Sequence, residues 1–218
     1  MEEIFWDDIE DIKSHIKDNN IKLSTMIEGK GNSNIIATPE FYSTKVSKCL
    51  LEDVDTIFYL QKKSLSNRYI DSIIRNMAEQ VIEYKYIIEE KPELISTYFG
   101  KNMDVDYTSE EISIKEIIDK LKESGEARYE NGKRKSVSSM ANKINEKDTV
   151  ETEDTIHISL YDIFSCEAEM EHNSYFNSVI NEDVAEIEEI DSNDFNVLTS
   201  IFLDSIFKSF FETYNKII

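Results

Sequence analysis

Glycine and proline are so scarce in this chain, five and two among 218 residues, that few tight turns can be built from it. A many-stranded β fold needs a turn every roughly 8–12 residues, and those turns draw on residues that accept positive φ or a fixed φ. Helices need no such supply. Hydrophobic residues make up 40% of the chain, with 11 Tyr, 11 Phe and one Trp, enough to line a packed interior. The sequence therefore predicts an all-α fold: a single helical domain over 1–218 forming a bundle of about six to eight helices. An N-terminal helix and loop occupy 1–37, and the main bundle 38–218.

The apolar positions supply the helices. Ile4, Phe5, Ile9, Ile12 and Ile16 recur near helical spacing and predict an amphipathic helix over about 2–18. Asn19-Asn20, Gly29-Lys30-Gly31 and Asn32-Ser33-Asn34 predict a loop over 19–37. Thr38-Pro39 is an N-cap followed by a first helical residue, and the helix it opens runs to about Lys62. The next, about Ser66 to Glu90, puts Ile70, Ile73, Ile74, Met77, Val81, Tyr84 and Ile88 on one face. Arg68, Asp71, Arg75 and Glu79 follow another, and Pro92 stops or restarts the helix.

Thr108-Ser109-Glu110-Glu111 has capping-box spacing and opens a helix to about Ser124, before Gly125. Shorter helices are predicted over about 136–146 and 182–189, with a longer one over 155–172. The last helix, 193–216, is apolar nearly all round, with Phe202, Ile206, Phe207, Phe210, Phe211 and Tyr214 on more than one side. The helices from Ser66 and Asn193 are expected at the centre. A helix so apolar is covered either by its own chain or by a second copy, and the expectation is a homodimer through this C-terminal helix.

Charge constrains function more than any motif does. Forty-five Asp and Glu against 24 Lys and Arg leave −21. That balance opposes a phosphate-neutralising nucleic-acid surface. Lys147 is the last basic residue before Lys208, and sixteen acidic residues lie between them. Repulsion within such a block costs stability unless a cationic partner offsets it. A basic protein partner is the implied complement. The acidic start of the chain lacks a signal-peptide pattern, no stretch is long and uncharged enough to span a membrane, and Cys49 and Cys166 are read as reduced thiols. A soluble cytoplasmic protein without membrane contact is the expectation.

Cofactor chemistry is not indicated. Gly29-Lys30-Gly31 lacks the remainder of a phosphate loop, and no His/Cys cluster has zinc spacing. Glu169-Met170-Glu171-His172 holds one Glu-x-x-His ligand pair, whereas a di-iron bundle needs two such pairs and two more glutamates. His172 does share a helix stripe with Tyr161, Ser165 and Ala168, and Arg75 lies four residues before Glu79.

The helix Arg68-Tyr69-Ile70-Asp71-Ser72-Ile73-Ile74-Arg75-Asn76-Met77-Ala78-Glu79 resembles the Arg-x3-Glu helix of an uncharacterised family of bacterial helical domains. The aromatic stretch Tyr84-Lys85-Tyr86, the short helix Ser136-Val137-Ser138-Ser139-Met140-Ala141, and Tyr161-Asp162-Ile163-Phe164-Ser165 with His172-Asn173 follow in matching order over about 40–180. That family is similar to HEPN-type helical domains, many of them ribonucleases of toxin and phage-defence systems. The HEPN pattern places Arg and His on one helix; here Arg75-Asn76 runs into Met77-Ala78-Glu79-Gln80, and the histidine candidate is on another helix.

The resemblance implies a bacterial or phage defence protein acting as a metal-independent ribonuclease on RNA. His172 would be general base on a ribose hydroxyl, Arg75 would stabilise the phosphorane charge, and Glu79 would orient one of them. The charge block implies the alternative, a non-catalytic acidic protein that docks on a basic, nucleic-acid-binding surface.

Overall fold

The computed structural model describes residues 6–29, 38–63, 67–95, 135–152, 156–172 and 192–217. Six helices occur among them: α1 (Trp6–Gly29), α2 (Pro39–Lys62), α3 (Asn67–Glu90), α4 (Val137–Lys143), α5 (Leu160–His172) and α6 (Ser192–Tyr214). A two-stranded antiparallel hairpin, β1 (Val150–Glu151) and β2 (Ile156–His157), precedes α5 and pairs Val150 with His157 and Glu151 with Ile156. The fold is mainly helical, as glycine and proline scarcity requires. The helices expected over about 109–124 and 182–189 lie outside the described residues.

α2 begins where Thr38-Pro39 places it. The Thr38 hydroxyl accepts from the Phe41 amide at 3.2 Å, satisfying one of the donors that the first helical turn leaves without an intrahelical partner. Ser136 caps α4 in the same way, through the Ser139 amide at 3.2 Å.

Two boundaries differ from the sequence expectation. α1 continues through Asn19-Asn20 to Gly29 instead of ending near residue 18. Asn weakens a helix by offering its side chain to nearby backbone, but here both amides have tertiary or side-chain partners. Asn19 Nδ2 meets His15 Nε2 at 3.0 Å. Asn20 donates to Ser47 Oγ at 3.1 Å and accepts from Tyr214 Oη at 2.8 Å. Ile16 and Leu23, both fully buried, extend the apolar stripe on either side of them.

The second correction concerns 155–172, where helix begins only at Leu160. Ile156 and His157 pair in the hairpin, and Ser159 Oγ caps the helix by accepting from the Asp162 amide at 3.0 Å. Two β-branched residues in Ile156-His157-Ile158 favour extended backbone over a helical first turn.

α3 is central and packs against α2, α4, α5 and α6. Its inward residues Ile70, Ile74, Met77, Val81 and Tyr84 join Leu50, Val54 and Ile57 of α2, Leu160 and Ile163 of α5, and Phe202, Phe207 and Phe210 of α6 in one buried hydrophobic cluster. Tyr84 lies 5.3 Å from the Phe210 ring, with its hydroxyl 2.8 Å from Ser43 Oγ. The all-round apolar character of α6 is met within the chain: Phe207, Phe210 and Tyr214 are at most 1% exposed, and Phe211 packs partly buried against the same core. No helix among the described residues is long and apolar enough to cross a membrane.

Candidate functional site

Asp71, Arg75 and Glu79 fall four residues apart and so line one side of α3. The Arg75 guanidinium lies over the Phe164 ring of α5, 5.0 Å from its centroid, a cation–π contact. Tyr161 stacks beside that ring at 6.1 Å. α5 runs antiparallel to α3. Its first residue, Leu160, reaches Lys85 through Glu146, whereas Phe164 sits at Arg75, ten residues nearer the start of α3.

His172 ends α5, eight residues beyond Phe164, which at 1.5 Å per residue is about 12 Å along the axis. The fold therefore brings Arg75 and Glu79 onto one face. It carries the backbone of His172 about two turns past the Arg75 contact, toward the end of α3 that holds Asn67 and Asp71. The side chain of His172 lies outside the described residues.

A second polar cluster is more completely built. Lys85 is 3% exposed, and its ammonium donates to Glu146 Oε1 at 2.7 Å, Ser209 Oγ at 2.9 Å and Glu212 Oε2 at 3.0 Å. All three proton positions of the ammonium are thereby used. Glu146, 2% exposed, also accepts from the Ser209 hydroxyl and the Leu160 amide, and its Oε2 lies 3.3 Å from His157 Nε2. Asn145, at φ 58°, makes the turn after α4 that sends Glu146 inward; Asn is one of the few residues that accept this left-handed conformation.

Burial by itself would lower the Lys85 pKa, but the charge of Glu146 and the hydrogen bonds to Glu146 and Glu212 outweigh it and leave it raised. For Glu146, burial works upward, and the charge and hydrogen bond of Lys85, helped by Ser209 and His157, hold it below its ordinary value. Both groups are charged at neutral pH. With the Lys85 ammonium and the Ser209 hydroxyl committed to the same carboxylate, the cluster locks α3, the turn after α4, the hairpin and α6 together.

Two half-buried carboxylates, Asp53 and Asp71, are treated differently. Burial raises Asp71 to about 6, and burial with the neighbouring Glu52 charge does the same for Asp53. Neither makes a hydrogen bond or ion pair among the described residues. Charge is also unevenly placed along the chain. Residues 1–147 hold 28 acids and 22 bases, net −6, whereas 148–218 hold 17 acids and two bases, net −15. Those two bases are internally engaged: Lys208 with Asp204 at 2.6 Å and Lys216 with Glu89 at 3.2 Å.

The sequence signal for the Lys85 cluster was its position. Lys85 follows Val81 by four residues and Met77 by eight, on the apolar stripe of α3, where a cation requires a buried partner. Nothing local names Glu146 or Ser209, 61 and 124 residues away. Comparison of the chain with protein-family models, curated proteins and solved structures finds no match.

Proposed function

We propose that the protein is a non-catalytic binding module whose carboxylate-rich C-terminal third docks on a cationic surface of another protein. One observation carries this reading. Residues 148–218 hold 17 acids against two bases, net −15, and both of those bases, Lys208 and Lys216, are already engaged by carboxylates of the chain. Complementary potential then sets partner choice and association rate, with strong salt sensitivity. The resemblance to HEPN-type domains suggests a setting in toxin or phage-defence systems, where the partner surface would be a nucleic-acid-binding one.

The test is capture from cells with the whole protein as bait. A basic protein should be retained, and its retention should fall as salt rises. Neutralising Asp148, Glu151, Glu153 and Asp154 together should abolish capture, whereas neutralising Asp11, Asp18, Glu52 and Glu90 should not. Equal capture by both variants would overturn the reading.

The ribonuclease reading retains one supporting observation. Asp71 titrates near 6, in the range suited to general acid–base work, on the face that also bears Arg75 and Glu79. In that reading His172 is the base, Arg75 the anion stabiliser and Glu79 the positioning residue. Cleavage of single-stranded RNA in the presence of a chelator should then disappear in both His172→Ala and Arg75→Ala. Activity persisting in either variant would end the assignment.

A further inference from the structure

The lining of the groove between α1 and α2 is net positive, unlike the acidic C-terminal third. A groove of about 590 Å³ runs between the two helices, lined among others by Lys13, Lys17, Lys48, Asp55, Ile21 and Leu51. One lysine of the three is neutralised: Lys13 pairs with Asp55 at 2.5 Å. Lys17 and Lys48, both exposed, have no ion-pair partner among the described residues.

Its walls are also apolar where they face solvent. Ile21 is 60% exposed, and Leu51 packs against the core with part of its surface left open. The floor is fixed: Asn20, which lines the groove, is held by Ser47 and by Tyr214 from the end of α6. Thr25 and Thr44 turn their hydroxyl protons onto the carbonyls of Ile21 and Glu40, so the lysines are the donors that remain to meet a ligand.

We propose that this groove binds a small organic phosphate, a phosphate monoester dianion carrying an apolar body of about nucleoside size. The three lysines and Asp55 sum to two positive charges, which complements a dianion. Lysines act as mobile point charges suited to phosphate, whereas planar carboxylate recognition favours the Arg fork, which this groove lacks. The exposed Ile21 and Leu51 provide the wall against which an apolar body lies. The volume falls in the range of small-molecule sites, about 300–1,000 Å³. This site is separate from the proposed acidic docking surface, and either can fail without the other.

Titration of the full chain with adenosine monophosphate, followed by calorimetry, tests the proposal. Saturable binding of one equivalent is expected, with adenosine and inorganic phosphate each weaker by about tenfold or more, since each supplies half of the contacts. The K17Q/K48Q double variant should lose about tenfold in affinity with an unchanged melting curve, because both side chains are exposed and unpaired. K143Q, which removes an exposed lysine from α4, should bind as the wild type does. No saturable binding, equal affinity in K17Q/K48Q, equal loss in K143Q, or citrate binding as tightly as the nucleotide would each overturn the assignment.

Discussion

The Lys85–Glu146 junction and the half-buried carboxylates Asp53 and Asp71 are both places where charge meets the interior of this protein, and they are handled in opposite ways. At the junction an ammonium and a carboxylate, each at most 3% exposed, are enclosed by Ser209, Glu212, His157 and the Leu160 amide. At Asp53 and Asp71 burial raises the pKa to about 6, and no hydrogen bond among the described residues relieves it. The contrast shows that charge compensation was concentrated where four elements must be held in register.

The largest effect should come from opening the junction. Lys85→Met leaves Glu146 buried without its counter-ion and should cost about 3–5 kcal/mol in urea unfolding. Adding Glu146→Leu should recover part of that loss, since replacing both partners removes the uncompensated charge. A single substitution costing no more than an exposed pair would mean the junction is wet and the contrast false. The pair also predicts a pH window. Glu146 is held below its ordinary pKa of 4.5, so its contribution is present above that value and lost as pH falls through the lower folded-state pKa. Lys85 is raised, so its contribution is full below 10.5 and lost as pH rises through its higher folded-state value.

Asp71→Asn should act in the other direction. A raised carboxylate binds more protons folded than unfolded, so it costs stability above about pH 6 and the cost fades as pH falls toward 3.8. The substitution should therefore stabilise the protein near neutral pH by about 1 kcal/mol, after allowance for solvent screening of a half-exposed group. The gain should shrink in acid. A destabilised D71N would show that Asp71 has a partner and that the two regions are alike.

How much of this was legible in the sequence depended on how local each cause was. The start of α2 could be read because Thr38 and Pro39 act on their own helix. The central place of α3 followed from its one-sided stripe, and the apolar core of α6 from composition alone. The continuation of α1 through Asn19-Asn20 was not legible, because its cause is Ser47 and Tyr214, 27 and 194 residues from Asn20. The late start of α5 was missed for a similar reason: its first amide is capped by Glu146, 14 residues upstream. Arg75 and Glu79 were placed on one face by spacing, but the direction of α5, which decides how far His172 lies from them, is a tertiary fact.

Whether the carboxylates of the acidic third find cations elsewhere in the chain is read most directly from the melting temperature of the isolated protein against sodium chloride. Repulsion among exposed carboxylates is screened over roughly 8–10 Å at physiological ionic strength. Raising salt from low to moderate concentration should therefore raise the melting temperature by a few degrees, equivalent to about 1 kcal/mol in a chain of this length. A melting temperature that stays flat or falls over that range would show that the carboxylates are already paired with cations of the chain, and it would contradict the proposed docking function.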